Sequence, residues 1–360
     1  MVHSVGIVTS GGPGAESEAG TRPAGSTSFE RRGHVAALIA HRHRRPGGRV
    51  YTALRWGGVL IFVAVVVSLV VSLVWQAAPA FRHSGFSFIF SGTWDPDTEK
   101  FGAGVFIVDT LLTTGLGLLL AIPVGIATAV ALSEFLPRRL AGPLSTAIDL
   151  LAAVPSIVVG LWALLILVPV FERDVEPFLQ KIPLVRHLFT GEDLGTGILL
   201  ASVVLAVMML PTMVALTRVA LRGVSVADRE AALALGGTQW QVVRRAVIPG
   251  ARSGIEAAIT LAMGRALGEA IAVSLVIGGG VSLPHSLLDT GTTLGSAVVN
   301  FFSESSGIQR SAVIGLVVVL LAFTAVANIG GQLLIRPRRS RGYERAEPEE
   351  VAPTGEGAPA

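Results

Sequence analysis

The sequence predicts an all-α integral membrane protein with six transmembrane helices and both termini in the cytoplasm. Apolar residues make up 51% of the 360 residues and charged residues 15%, whereas a soluble domain carries about 25% charge. Cysteine is absent, so disulfides, thiolate metal sites and cysteine nucleophiles are excluded. The apolar stretches and the placement of the basic residues give the number of helices and their orientation.

Six apolar stretches are each long enough to cross a bilayer, because about 20 apolar residues span its hydrocarbon core. Pro155 lies within the third stretch and is predicted to kink that helix, and Gly160 is predicted to allow close packing one turn later. The stretches run from about Trp56 to Trp75, Val105 to Leu132, Pro143 to Val170, Thr196 to Leu216, Ile255 to Ile277 and Val313 to Leu334.

The basic residues give the orientation. With the N-terminus in the cytoplasm, 21 of the 28 lysine and arginine residues fall on the cytoplasmic side and 6 on the outer side. This excess is the expected positive-inside signal. The remaining basic residue, Arg265, lies inside the fifth stretch. The polar segment 225–250 is therefore predicted to face the cytoplasm.

The same stretches divide the chain into three regions. Residues 55–335 form the transmembrane domain, residues 1–54 a disordered, basic cytoplasmic tail, and residues 336–360 a cytoplasmic C-terminal tail. The start of the N-terminal tail is rich in Gly, Ser, Pro and Glu, a composition that does not support a packed core. The arginines at positions 42–49 are interpreted as a cluster that meets anionic lipid rather than nucleic acid.

The polar segment 225–250 is predicted to form two short helices. Ser225 and Thr238 are candidate N-caps, and each is followed three residues later by a polar side chain that can reach back to the helix start. Gly236 begins the turn between the helices, and Pro249 with the following glycine ends the second helix. Such a segment is too polar to cross a bilayer.

Two charges lie in the middle of the fifth stretch, where each costs about 2.5–3.5 kcal/mol on insertion. Arg265 and Glu269 are four residues apart, which predicts that they share one helix face. The pair could serve only to pack the bundle, but arginine before glutamate is the less favourable helical order. Gly264, Gly268 and Ala272 form a ridge of small residues that lets another helix approach closely. The pair is therefore predicted to line a translocation path at a subunit interface.

The chemistry of this pair indicates an anionic substrate. Arginine presents a fixed fork of N–H donors that suits phosphate or another oxyanion. Glu269 is predicted to hold the fork of Arg265 and to limit how tightly the anion binds. Asp149, near the start of the third stretch, is either a second residue of the path or a buried anchor to a neighbouring helix.

Motifs for catalysis and cofactors are absent from the sequence. No G-x-x-x-x-G-K-[ST] occurs, so ATP hydrolysis is not expected on this chain. No H-E-x-x-H or G-x-S-x-G occurs either, and the histidines lack zinc spacing. We therefore expect no enzymatic activity, no cofactor and no metal.

Several motifs resemble those of known permeases. Glu230-Ala231-Ala232, followed by Gly236 and Pro249, is similar to the EAA loop of ABC-importer permeases. Three further motifs occur in order and are similar to the Pst family of phosphate ABC permeases, more to its PstC-type than to its PstA-type subunit. They are Trp94-Asp95-Pro96 with Phe101-Gly102, the stretch from Asp149 to Trp162, and the stretch from Gly264 to Val273.

The resemblance covers about residues 55–335 and implies the type I permease fold of an ABC importer in the bacterial plasma membrane. It implies import of inorganic phosphate with three kinds of partner: a PstA-type second permease subunit, two copies of an ATP-binding subunit, and an extracytoplasmic phosphate-binding protein. It places Arg265 and Glu269 in the substrate path. It assigns the contact with the ATPase to Glu230, Ala231, Ala232, Gly236 and Pro249.

Two alternatives remain open on the sequence. A permease for sulfate, molybdate or a phosphonate would need the same arginine fork. An intramembrane enzyme would use Arg265 and Glu269 on a lipid or a peptide, but it would not need a polar helix pair in the cytoplasm. The segment 225–250 therefore favours a transporter.

Overall fold

The computed structural model describes residues 47–183 and 186–334, and most of these residues are helical. The predicted tails lie outside the described residues, except that the first helix already begins at Gly47. Contacts divide the chain between Val65 and Val66. The described part of the first unit is a single helical stretch whose side chains are almost all exposed.

The described elements follow one another along the chain with short connections. They are α1 (Gly47–Ser84), α2 (Ser87–Phe90), β1 (Trp94–Asp95), β2 (Lys100–Phe101), α3 (Gly104–Val130) with a π-helical turn after it (Ala131–Phe135), α4 (Arg138–Ala153), α5 (Ser156–Gln180), a 3-10 turn (Arg186–Leu188), α6 (Ile198–Arg222), α7 (Val226–Ala234), α8 (successive turns Gln239–Val242, Val243–Val247 and Ile248–Gly250), α9 (Arg252–Leu267), α10 (Ile271–Val276), α11 (Leu294–Phe301) and α12 (Gly307–Leu334).

Within the described residues, five helices are long and apolar enough to cross a membrane. Four of them match the first, second, fourth and sixth predicted stretches. The remaining helix, α5, overlaps the third stretch. The predicted stretch from Ile255 to Ile277 is two helices, α9 and α10, and not one continuous helix. The membrane-crossing lengths are Tyr51–Ser84, Gly104–Phe135, Ser156–Gln180, Ile198–Arg222 and Gly307–Leu333.

The third predicted stretch is also interrupted, and Pro155 is the cause. The prediction of a kinked but continuous helix is wrong, because α4 ends at Ala153 and α5 begins at Ser156. Val154 is extended, with ψ at 128°, as steric contact with a following proline ring requires. The apolar span shifts to Ser156–Gln180, and α4 is left with no buried residue.

The centre of the molecule is the packing of α3 against α6. Two glycines of α3 allow this approach. A Cβ atom on Gly117 would lie 3.2 Å from the carbonyl oxygen of Ser202, and one on Gly125 would lie 3.2 Å from the Cβ of Met213. Residues of α5, α9 and α10 pack around α6 in the same apolar core.

Two consecutive polar residues tie the start of α3 to the segment before α11. Asp109 is fully buried, and its Oδ2 accepts a hydrogen bond from the backbone N–H of Thr292 at 2.7 Å. The hydroxyl of Thr110 accepts from the N–H of Leu294 at 2.9 Å. These bonds satisfy backbone donors that would otherwise be buried without a partner.

The short hairpin between α2 and α3 is built on aromatic residues. Trp94 pairs with Phe101 in an antiparallel register. The Trp94 ring lies 5.0 Å from the rings of both Phe101 and Phe106, in edge-to-face geometry, and stacks on Phe301 at 5.7 Å. The motif Trp94-Asp95-Pro96 thus anchors the hairpin to α3 and α11.

Gly160 of α5 allows a close contact with α10. A Cβ atom there would lie 2.9 Å from the Cα of Ala272 in α10. This confirms the prediction that Gly160 allows close packing.

We expect Gly160→Ala to lower the stability of the protein by about 1–3 kcal/mol, because overpacking forces backbone shifts of this cost. The measurement is the midpoint of thermal unfolding in detergent. Gly115→Ala is the matched control, since a Cβ on Gly115 of α3 meets nothing within 4 Å. Equal midpoints for the two variants would contradict the expectation.

Candidate functional site

Arg265 lies in the last turn of α9 and is exposed in the single chain. Its side chain lines a small cleft together with Val154, at the interruption before α5, and Met208 of α6. The interruption at Pro155 and the end of α9 therefore border the same cleft. The arginine is placed where the backbone of two helices is broken, an arrangement that also occurs in the discontinuous helices of secondary transporters.

Glu269 lies just beyond the end of α9, after Gly268. The prediction that it shares a helix face with Arg265 is wrong, because the helix stops at Leu267. Its carboxylate instead accepts a hydrogen bond of 3.4 Å from the backbone N–H of Ala272, in the first turn of α10. A carboxylate at a helix start satisfies a free N–H and favours the helix dipole.

Arg265 and Glu269 still border one narrow crevice, together with Met208 and Met209 of α6, and in the single chain this crevice has no room for a water molecule. Within the residues that the structure describes, neither of them forms an ion pair. The guanidinium of Arg265 therefore keeps its N–H donors available to an anion.

The predicted ridge of small residues does not form one contact surface. Gly264 faces α12, where a Cβ would lie 2.7 Å from Oδ1 of Asn328, whereas Gly268 is exposed. Ala272 packs against Gly160 of α5. Two positions of the ridge therefore serve packing within the chain, and the middle position is exposed.

Asp149 lies on α4 and is exposed. The alternative of a buried anchor to a neighbouring helix does not hold within this chain, since α4 buries no residue. Asp149 does not line the two clefts that contain Arg265, so the structure does not bring it together with the pair. Its role in the substrate path stays a prediction.

The polar segment has the predicted N-caps and turn, but Asp228 does not form the expected reciprocal bond with the start of α7. The hydroxyl of Ser225 accepts from the N–H of Ala227 at 3.1 Å. Thr238 and Gln241 form a reciprocal capping box. Gly236 has a φ of 82°, a conformation that favours glycine. The last turn of α8 ends at Gly250, directly after Pro249.

The residues assigned to the ATPase contact lie on an accessible surface. Glu230, Ala231, Gly236 and Pro249 are exposed, and Ala232 is half-buried. The neighbouring side chains of Leu233, Leu235 and Trp240 are also exposed. Apolar side chains are thus accessible beside the residues of the predicted contact.

The residues that sequence reasoning missed are the apolar lining of the cleft and the partners of the polar segment. Met208 and Val154 carry no sequence signal of their own, although Pro155 indicates a backbone break beside Val154. Glu134 binds Arg229 across 95 residues of sequence, a contact that no local pattern reveals.

Comparison with known proteins agrees with this architecture. Residues 121–340 match the family described as binding-protein-dependent transport system inner membrane component. The chain is 38% identical over 288 residues to the phosphate transport system permease protein PstC of Pasteurella multocida, covering 78% of this chain and 90% of that protein. It is 38% identical over 322 residues to PstC of Xylella fastidiosa, covering 86% of this chain and 99% of that protein.

A solved structure shows the same fold. A chain of the bacterial alginate ABC transporter, crystallised with an alginate pentasaccharide-bound periplasmic protein, superposes with a TM-score of 0.55 at 17% identity. The match covers 81% of this chain and 98% of that chain. The fold is therefore that of an ABC-transporter permease.

The chain belongs to the binding-protein-dependent transport permeases, and within them to the PstC-type members. It is a multi-pass protein of the bacterial cell membrane, as the family and the apolar helices require.

Proposed function

We infer that the chain is a permease subunit of an ATP-driven importer of inorganic phosphate. A PstA-type second permease subunit completes the translocation path, two copies of an ATPase bind from the cytoplasm, and a phosphate-binding protein delivers the anion from outside. The observation that carries the inference is the guanidinium of Arg265, which forms no ion pair with any described residue and lies in a cleft beside two helix breaks. The names of the curated relatives support phosphate as the substrate.

The geometry suits transient binding of an anion. Arg265 offers a planar fork of donors that matches phosphate oxygens bidentately. Glu269, on the same cleft, adds a negative charge that opposes long retention of the anion. Its carboxylate is held by the first turn of α10, which leaves the arginine free. Binding strong enough to admit the anion and weak enough to release it is what conduction needs.

The exposure of this site in the single chain supports a path that is shared between two subunits. Arg265 is exposed, and α4 has large apolar side chains with no cover, among them Leu140, Leu144 and Leu150. A charge at mid-bilayer that faced lipid would be costly. The second permease subunit covers this side and encloses the arginine.

The cytoplasmic surface around α7 supports the coupling role. Glu230, Ala231, Ala232, Gly236 and Pro249 form the contact with the ATPase. The relatives are transport permeases, which favours this function over an intramembrane enzyme.

Competition of anions for uptake tests the substrate. Membrane vesicles that contain all subunits and the binding protein are expected to take up labelled phosphate in an ATP-dependent manner. Unlabelled phosphate should compete, whereas sulfate, molybdate and a phosphonate should not. Stronger competition by one of these three anions would assign the permease to that anion. No uptake of any of them would overturn the proposed function.

A further inference from the structure

A group of polar contacts ties the polar segment to the inner ends of two spans. Its members are Glu134, Leu221, Arg229 and Gln239, here named the cytoplasmic clamp. Glu134 lies in the π turn after α3, Leu221 in the last turn of α6, and Arg229 in α7. Gln239 is the first residue of α8. Four helical elements therefore meet at this point.

The guanidinium of Arg229 joins three of these elements. Its Nη1 donates to Oε2 of Glu134 at 2.6 Å, and its Nη2 donates to the backbone carbonyl of Leu221 at 2.6 Å. The two ion-paired side chains are only 23% and 11% exposed. Burial strengthens charge-assisted bonds, because water screens them less. Lysine could not hold both partners in this way, since it lacks the planar fork.

The helix α7 depends on Arg229 because it packs little. No residue of α7 is buried. Within the part of the chain that the structure describes, Arg229 is the residue of α7 whose side chain hydrogen-bonds to the spans. The ion pair and the bond to Leu221 are thus the direct polar link between α7 and the membrane domain.

The helix α8 is held more broadly. Val242, Val243 and Val247 are buried in one apolar cluster with Leu221. The side chain of Gln239 also donates to the backbone carbonyl of Glu134. The two short helices therefore differ, since α8 has three residues buried in this cluster, whereas α7 adds the half-buried Ala232 to its edge and is otherwise attached by the clamp.

We propose that the cytoplasmic clamp carries movement of α7 into α3 and α6, which makes Glu134 and Arg229 positioning residues for the coupling of ATP hydrolysis to transport. This inference rests on the proposed function, because it takes α7 as the surface that the ATPase moves. Since α3 and α6 pack through Gly117 and Gly125, a pull on their inner ends displaces them together. When the clamp is broken, α7 follows the ATPase while the two spans stay in place.

The test is the number of ATP molecules hydrolysed per anion taken up, measured with the complete complex in liposomes. Glu134→Gln removes the charge of the acceptor and keeps its shape, and Arg229→Lys keeps the charge and removes the fork. We expect this ratio to rise roughly tenfold in each variant, the effect of losing one charge-assisted hydrogen bond. Glu256→Gln is the matched control.

The control variant removes an ion pair that lies outside the cytoplasmic clamp. Arg252 and Glu256 pair at 2.7 Å within α9, with side chains 74% and 33% exposed. Exposed pairs of this kind contribute little, so the control ratio should equal that of the wild type. The amount of assembled complex is measured in every sample.

A purely structural role would lower assembly, ATP hydrolysis and uptake together and leave the ratio unchanged. An unchanged ratio of ATP hydrolysed to anion taken up in both clamp variants, or a failure of both variants to assemble, overturns the proposed role of the clamp in coupling. The wild-type complex is measured first with phosphate and the other oxyanions. If it takes up none of them, the proposed function fails, whereas failure of the clamp shows only in the variants.

Discussion

Arg265→Gln is expected to reduce phosphate uptake at least roughly a hundredfold, because two charge-assisted hydrogen bonds to the anion are lost. The complex should still insert and assemble. Removing the charge relieves an insertion cost of about 2.5–3.5 kcal/mol, and between positions 47 and 334, as far as the structure describes them, no ion-pair partner of Arg265 would be left alone. Arg265→Lys keeps the charge without the bidentate geometry, so only partial uptake is expected.

Uptake of labelled phosphate and the amount of detergent-resistant complex are measured side by side. Glu269→Gln should slow uptake without loss of assembly, because Arg265 then holds the anion longer while the amide oxygen can still accept from Ala272. If the pair served only to pack the bundle, each single change would disrupt assembly and the double variant would restore it. A fully active double variant would contradict the role in the path.

Gly236→Val is expected to uncouple ATP hydrolysis from uptake while the protein remains inserted. The φ of 82° at Gly236 lies in a region that a β-branched residue enters only with strain of about 1–3 kcal/mol. A Cβ there would meet nothing within 4 Å, so the effect comes from the backbone and not from a clash. The turn shifts, and α7 no longer presents Glu230 to the ATPase.

Gly236→Asn is the matched control, because asparagine tolerates the left-handed conformation. The measurement is ATP-dependent uptake together with ATP hydrolysis in the reconstituted complex. Asparagine should preserve coupling and valine should abolish it. Normal transport by the valine variant would show that this turn does not position the contact with the ATPase.

Local signals in the sequence predicted the polar segment well. The caps at Ser225 and Thr238 and the positive φ at Gly236 depend on residues within three or four positions of one another, so a single sequence contains all the information. Four of the six apolar stretches were also found as continuous helices, because hydrophobicity and length follow from the thickness of the bilayer.

Contacts between distant segments could not be predicted in this way. Hydrophobicity alone does not show that α9 ends at Leu267, because Gly268 and Glu269 could both continue a helix. In the structure the Glu269 carboxylate instead accepts a hydrogen bond from the N–H of Ala272. Pro155 did indicate a break in the helix, because a proline disfavours the helical conformation of the residue before it, here Val154. The pairing of Glu134 with Arg229 depends on the packing of the whole fold.

The interrupted fifth span has a mechanical consequence. Its first half, α9, lies against α12, where Gly264 meets Asn328 and Gly331 meets Thr260, whereas its second half, α10, lies against α5 through Gly160. The two halves thus have different neighbours, although both also pack against α6. Residues 268–270 connect them, and Arg265 lies in the last helical turn before this connection. A change in the packing of α10 against α5 is therefore not passed to the arginine through a continuous helix.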